Sequence, residues 1–275
     1  IGVEIAGRPA TRSYSLVDAG EGSVYRIAVK LLAESRGGSA FMWKLQPGAQ
    51  LSITLPISHF ELNRQCKSYL LLAGGIGVTP ILSMARALQD SNADYRVLYA
   101  GRSRKTMAYL DELQRLCGER LSIFASDEGR RIDIAAEIAA LDSAGEAYVC
   151  GPIRMIEDSR SLWSSSPRPP QSLRFETFAS SGHFPNVPFI VRLLNIGRMI
   201  EVAASQTLLE ALEAEGIEAM YDCRKGECGL CALDILACDG TLDHRDVFFS
   251  EEEKTEGHKL CACVSRITGG SISLD

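Results

Sequence analysis

Cys223-Arg-Lys-Gly-Glu-Cys228-Gly-Leu-Cys231 packs three cysteines into nine residues, with four and then two residues between them. That spacing wraps three thiolates of one tight loop around a [2Fe-2S] cluster, and the rest of the chain reads as a supply line to it. Gly226 and Gly229 let the backbone curl so that its N–H groups turn toward the sulfurs, which stabilises the extra negative charge of a reduced centre. A fourth thiolate must come from elsewhere. It is expected in Leu260-Cys-Ala-Cys-Val-Ser-Arg266, where Cys261 and Cys263 compete: from Cys231 the first follows after 29 intervening residues and the second after 31.

The alternatives for so many thiols are weaker. Nine cysteines are an odd number, and three share one loop, which argues against the disulfide framework of a secreted protein. Structural zinc favours two separated pairs or Cys/His pairs, and no second pair lies near this loop. Cys66, Cys117 and Cys238 stand alone and read as inert packing residues. With 275 residues, 46% hydrophobic and 23% charged, the chain is globular and large enough for two or three cores. A net charge of −6 argues against a nucleic-acid surface, local basic patches such as Arg102 to Lys105 notwithstanding. No run of about 18 apolar residues spans a bilayer and no signal-peptide core is present. The expectation is a cytoplasmic protein with no membrane partner, monomeric by default. The chain opens at Ile1-Gly-Val-Glu-Ile, without Met and inside a strand-like pattern, so residues are expected upstream.

Three blocks follow one another. Residues 1–62 look all-β: Val24, Ile27, Val29 and Leu31 lie in a β-branched run, and Gln46-Pro-Gly48 turns into a strand over Gln50 to Leu55. Residues 63–168 alternate short apolar strands (Tyr69 to Ala73, Tyr95 to Ala100, Leu121 to Ala125, Ala147 to Cys150) with helical stretches, the mark of a parallel sheet covered on both faces. Residues 169–188, rich in Ser, Pro and Gly around a strand-like Leu173 to Phe178, read as a linker. Residues 189–275 begin with a hairpin turning at Asn195-Ile-Gly197, continue into a helix capped by Thr207 and Glu210, and then reach the cysteine loop and strands near 232–236 and 271–274. That order suits a β-grasp domain.

In the middle block, Leu70-Leu-Leu-Ala-Gly-Gly-Ile-Gly-Val-Thr-Pro80 runs from a strand into a helix. Thr79 is expected to cap that helix and Pro80 to open it, while Gly75 and Gly77 let a pyrophosphate approach the free N–H groups.

The glycine run resembles the nicotinamide-binding motif of ferredoxin-NADP reductase-like flavoproteins. Cys150-Gly151-Pro152 resembles a later element of that family, Arg12-Ser13-Tyr14-Ser15 its flavin motif, and Arg36-Gly37-Gly38-Ser39 its flavin-phosphate loop. With a cysteine loop last, the order resembles the phthalate dioxygenase reductase and vanillate demethylase reductase group across essentially the whole chain.

The resemblance implies an antiparallel β-barrel flavin domain, an α/β parallel-sheet nicotinamide domain and a β-grasp [2Fe-2S] ferredoxin domain. It implies FMN rather than FAD, and NADH, with NADPH left open by Arg102 and Arg104. Arg12 is expected to offset the flavin phosphate, Tyr14 to lie along the ring, Ser15 to hydrogen-bond near the reactive N5, and Gly37, Gly38 and Ser39 to hold the phosphate. Val29 and Lys30 join this flavin set. Cys150 is placed beside the nicotinamide, Arg102 and Asp127 at the adenosine half, and Phe178 over the flavin. Aligned on His244-Arg-Asp246 and Cys263-Val-Ser-Arg266, the family pattern selects Cys223, Cys228, Cys231 and Cys263 as iron ligands. A nicotinamide gives two electrons as hydride and a [2Fe-2S] cluster takes one, a mismatch that a flavin bridges. The function implied is a reductase delivering electrons to a Rieske-type oxygenase, with no general acid or base required. The alternatives are a reductase acting on quinone, ferric or oxygen acceptors, or a redox sensor.

Overall fold

Residues 1–62 carry the alternation of β-structure but few strand partners. In the computed structural model, which describes residues 1–5, 11–18, 24–32, 37–178, 182 and 184–275, Gly2–Val3 (β1) pairs antiparallel with Arg12–Ser13 (β2) and Leu16–Asp18 (β3) with Arg26–Ile27 (β4), and Gly38–Lys44 forms a helix (α1). The expected barrel is therefore not closed among the described residues. The strand expected over Gln50 to Leu55 reduces to a bridge between Ile53 and Val3. Leu51, Ile53 and Leu55 alternate as a strand should, and the segment bonds to residues 2–4 through the Glu4 N–H to the Ser52 carbonyl at 3.1 Å and the Thr54 N–H to the Gly2 carbonyl at 2.9 Å, yet Leu55 is 82% exposed. Gln46-Pro47-Gly48 does turn, with the Ala49 N–H donating to the Gln46 carbonyl.

The parallel sheet follows. Ser68–Gly74 (β5), Asp94–Gly101 (β6), Leu121–Ala125 (β7), Glu146–Cys150 (β8) and Leu173–Glu176 (β9) lie in the order β7-β6-β5-β8-β9, every pair parallel. Val78–Asp90 (α2), Leu110–Cys117 (α3), Ile134–Ala140 (α4) and Ile153–Ser164 (α5) make the crossovers. β5 is buried throughout, as its unbroken apolar run requires of a strand covered on both faces. The linker expected over 169–188 is corrected here. Leu173–Glu176 is the edge strand of this sheet, so two compact units meet in sequence between Glu176 and Thr177. A strand-like apolar run beside a sheet with an open edge is more stable paired than as a tether. Residues 179–181 and 183, like Arg36, lie outside the described residues.

In the second unit Phe189–Leu193 (β10) and Arg198–Val202 (β11) form the expected hairpin, and Leu208–Ala214 (α6) carries the expected capping box between Thr207 and Glu210. Ala232–Cys238 (β12), Thr241–Asp243 (β13), Glu251–Glu256 (α7), Lys259–Cys261 (β14), Arg266–Thr268 (β15) and Ser271–Leu274 (β16) complete it. The main sheet runs β11-β10-β16-β12-β14, with β10 and β16 parallel and the others antiparallel. Leu208, Leu209 and Leu212 of α6 join Val191, Val202, Ile272 and Leu274 in one core, the grasp of a sheet around a helix. Among the described residues no helix is long and apolar enough to cross a membrane.

Candidate functional site

The parallel sheet makes its site by topology. The chain leaves β5 toward β6 and β7 on one side and later adds β8 on the other, so a crevice opens between the carboxyl ends of β5 and β8. Gly74 to Gly77 leave β5 there and Cys150-Gly151-Pro152 leave β8. A Cβ on Gly77 would stand 2.2 Å from the Cys150 carbonyl oxygen, and one on Gly74 would stand 2.4 Å from Pro152 Cδ. Only glycine lets these two turns close on each other. Gly75 has φ +56 and open space beside it, so the turn presents bare backbone to the crevice.

Thr79 does not cap. It lies within α2, behind a 3-10 turn over Gly75–Gly77, and its hydroxyl donates back to the Ile76 carbonyl at 3.1 Å. The helix thus begins at Val78, with Gly77 in the cap position, two residues earlier than a Thr79 cap would start it. Arg102 and Asp127 stand exposed past the ends of β6 and β7, joined by the Asp127 N–H to the Arg102 carbonyl at 3.0 Å. Arg104 is tied to Glu128 at 2.7 Å.

The flavin candidates come together in part. A Cβ on Gly38 would lie 3.1 Å from Arg12 Cγ, so the phosphate-loop glycine packs on the arginine of the Arg-x-Tyr-Ser stretch. Ser39 Oγ accepts from the Leu32 N–H, and the Trp43 indole donates to the Val29 carbonyl at 2.8 Å, which fixes the segment holding Val29 and Lys30 against α1. Burial raises the Tyr14 phenol above its ordinary value, partly offset by the Arg12 charge. Ser13 pairs with Gly2 across β1 and β2. Ser15 Oγ donates to the Glu176 carboxylate at 3.2 Å, a contact no local pattern announces because 161 positions separate the two. The Ser83 hydroxyl of α2 reaches the carbonyls of Leu16 and Val17 at 2.7 and 2.8 Å. One helix therefore touches the crevice with its first turn and the segment after Ser15 with its second.

In the second unit the cysteine loop is curled as expected. Gly226 has φ +75, and a Cβ there would stand 2.6 Å from Val264 Cγ2 and 2.9 Å from Asp246 Cα. The N–H groups of Lys225 and Glu227 donate to Cys223 Sγ at 3.4 Å, joined by that of Cys228. The Gly226 N–H donates to Cys263. Cys231, Cys261 and Cys263 are buried, while Cys223 and Cys228 are half-buried. Cys231 accepts from both Cys261 and Cys263, the first the stronger influence, and is held far below an ordinary thiol. Burial raises Cys223.

A network that sequence reading used only as an alignment marker holds this loop. Asp246 is fully buried, and accepts from the Phe249 N–H at 3.0 Å, from Ser265 Oγ at 3.1 Å, and meets His244 Nδ1 at 3.3 Å. Burial pushes its carboxyl up, but these partners outweigh burial and the net displacement is downward. The next residue, Val247, donates its N–H to the Gly226 carbonyl at 2.9 Å. Arg245 is bound to Asp243 and reaches Asn186 Oδ1 at 2.6 Å, and Arg266 donates to the carbonyls of Val187 and Ala203. Thr177 was missed entirely: its N–H donates to Glu227 Oε1 at 2.7 Å, and its hydroxyl lies 2.9 Å from both that oxygen and the Lys225 carbonyl. Phe178 follows, half-buried. Arg224 is ion-paired with Glu213 and stacked 3.9 Å from the Tyr221 ring centroid. Cys238, expected to pack, is exposed; Cys117 is buried and Cys66 half-buried, as packing residues should be.

The donor set fits a binuclear centre better than a single ion. The thiols come as pairs, Cys223 with Cys228 and Cys231 with Cys261 or Cys263. Four cysteines shared between two irons call for pairs.

Comparison with known proteins gives the same division. Residues 191–268 match the 2Fe-2S iron-sulfur cluster binding domain and residues 71–161 the oxidoreductase NAD-binding domain. The chain is 38% identical over 265 residues to the heme-dependent oxidative N-demethylase beta subunit of Ectopseudomonas mendocina, covering 96% of this chain and 84% of that protein. It is 32% identical over 275 residues to the phthalate dioxygenase reductase of Burkholderia cepacia, covering 96% and 83%. The solved structure of phthalate dioxygenase reductase, described as a modular structure for electron transfer from pyridine nucleotides to [2Fe-2S], superposes with a TM-score of 0.75 at 31% identity, covering all of this chain and 86% of that one.

Proposed function

This chain belongs to the phthalate dioxygenase reductase-like family of oxidoreductases, which pass electrons to an oxygenase component, and on that premise we propose how its own residues carry out the transfer. A bound flavin would convert the two-electron hydride of a reduced nicotinamide into the single electrons that a [2Fe-2S] cluster can carry. We assign FMN to the Arg12, Tyr14, Ser15, Gly37, Gly38 and Ser39 set, with Val29 and Lys30 alongside. Arg12 neutralises the phosphate beside Gly38. Ser15 is held in place by the hydrogen bond its Oγ donates to the Glu176 carboxylate.

Gly75 and Gly77 admit the dinucleotide to the crevice, with Thr79 locking the turn behind them and Cys150, Gly151 and Pro152 forming the far wall. NADH fits better than NADPH. Arg104 is already engaged by Glu128, and Asp127 stands beside Arg102, so a 2′-phosphate would meet two carboxylates where a ribose 2′-hydroxyl meets two acceptors. Cys223, Cys228, Cys231 and Cys263 are the iron ligands. Cys263 is chosen over Cys261 because it receives the Gly226 N–H of the cysteine loop and is close enough to Cys223 to feel its charge.

The observation that carries this reading is the closure of Gly74 to Gly77 on Cys150 to Pro152 in a chain that also builds a paired-thiol loop. The acceptor proposed is a Rieske-type oxygenase. The relative named for a heme-dependent demethylase supplies a second reading, a haem protein acceptor. Anaerobic addition of NADH to the holoprotein is expected to bleach the flavin and then the cluster; no bleaching by NADH or NADPH overturns the reductase. Titrating the reduced protein with each acceptor type separates the two readings.

A further inference from the structure

Cys261 is the one buried thiol beside the iron site that the proposed ligand set leaves unused. Residues i and i+2 of an extended strand share a face but stand about 6.6 Å apart. Here the chain turns sharply after β14: the N–H groups of Val264 and Ser265 both donate to the Cys261 carbonyl, at 3.1 and 2.9 Å. The turn folds Cys263 back, so that the Cys261 and Cys263 thiols both hydrogen-bond to the same sulfur, that of Cys231. Pairing of Ala232 with Cys261, and of the Ala262 N–H with the Cys231 carbonyl at 3.0 Å, fixes this arrangement in backbone. Packing alone would be met by Ala or Val at a position 0% exposed.

We propose that Cys261 is a reserve ligand, which takes over the iron bond of Cys263 when that ligand is lost. The inference rests on the assignment of Cys263 above. Cys261 is second in line because the Gly226 N–H of the cysteine loop donates to Cys263, while the buried Asp246 carboxylate lies within electrostatic reach of Cys261. The two thiols are alternatives, since each iron of a binuclear centre takes two protein sulfurs. The exchange balances without an oxidant or reductant. The iron–sulfur bond to Cys263 breaks and that sulfur takes up a proton, the Cys261 thiol gives up a proton to solvent and forms the new bond, and the oxidation states of both irons are unchanged.

The test uses holoprotein of Cys261→Ala, Cys263→Ala, Cys263→Ser and the double variant Cys261→Ala/Cys263→Ala, read by iron and acid-labile sulfide content, by EPR of the dithionite-reduced state, and by mass-spectrometric mapping of which cysteines resist alkylation. Cys261→Ala should match the parent. Cys263→Ala should keep a binuclear centre with altered g-values and Cys261 protected from alkylation, and a chelator should strip its iron about 10-fold faster because the Gly226 contact is gone. The double variant should hold no iron. Cys263→Ser, which fills the same space, guards against a packing defect. If neither Cys263 variant holds iron while Cys261→Ala does, the reserve role is overturned and the Cys263 assignment stands. If Cys263→Ala has the parent's EPR spectrum, the assignment itself falls and the reserve role with it.

Discussion

Residues 74–77 and 223–231 each make a tight turn around glycines, yet they are braced in different ways. At the nicotinamide crevice the requirement is for missing atoms: Gly77 and Gly74 let two turns close to distances that no Cβ permits. At the cysteine loop the requirement is for added ones, since Thr177 binds the loop's Glu227 carboxylate and Lys225 carbonyl, and Val247, beside the buried Asp246, binds its Gly226 carbonyl, from positions far away in the chain. A site made by absence is brittle to any enlargement. A site made by a buried polar network is brittle to loss of a single charge and forgiving of shape.

The sharpest way to break that contrast is Gly77→Val. Its side chain meets the Cys150 carbonyl, which is backbone and cannot swing aside, so the turn must shift by about an ångström and hydride transfer from NADH should fall on the order of 100-fold. The cluster, reduced directly by dithionite, should keep its spectrum. Stopped-flow flavin bleaching measures the loss, and an unchanged rate would mean that close approach at Gly77 is not what builds the crevice. The counterpart in the second unit is Asp246→Asn, which keeps the shape and removes the charge from a buried acceptor of two hydrogen bonds. It should cost about 2 kcal/mol, within the range for hydrogen bonds to charged groups, read as a lower urea midpoint for cluster absorbance, with flavin reduction by NADH preserved.

What the sequence made legible follows the same division. The glycine turn, Cys150-Gly-Pro152, the hairpin at 195–197 and the Thr207–Glu210 capping box are contiguous or local, and their residues dictate backbone geometry directly. The first block was legible only in its alternation, because Leu51, Ile53 and Leu55 report a strand's readiness to pair and do not name the partner, here Val3 opposite Ile53. Leu173–Glu176 was misplaced for the converse reason: the breaker-rich stretches around it are local signals, while the open edge of β8 is not. Thr177–Glu227 and Ser15–Glu176 join positions 50 and 161 apart and carry no pattern at all.

Proton linkage should separate the units as well. In the first, burial raises Tyr69, Tyr99 and Tyr148 above 10.0 and pushes Tyr95 up to about 12. A group raised on folding contributes stability that is complete below its unfolded value and lost as pH climbs through the folded one, so this unit should weaken between about pH 10 and pH 12. Asp246 is lowered from 3.8, so its contribution is complete above that value and is lost as pH falls below it. Flavin release on the alkaline side and cluster loss on the acid side, followed in one sample by absorbance, check the pair of windows. Asp246→Asn should flatten only the acid limb.

The smallest effect expected tests whether the two sites within the first unit are set against each other by α2. Ser83 is neither at the crevice nor in the flavin motif, but its hydroxyl holds the carbonyls of Leu16 and Val17, next to Ser15, while the same helix begins at Gly77. Ser83→Ala removes about 1 kcal/mol of hydrogen bonding, which as a loosened hydride geometry is roughly a 5-fold slower flavin reduction. A residue that only stabilised the fold would lower the melting temperature and leave the saturated rate alone. A positioning residue lowers the saturated rate, and weakens the nicotinamide–flavin charge-transfer absorbance, at an unchanged dissociation constant for NADH. If the dissociation constant rises and the saturated rate does not fall, α2 belongs to dinucleotide binding alone, and the first unit is two sites in one fold rather than one site spanned by a helix.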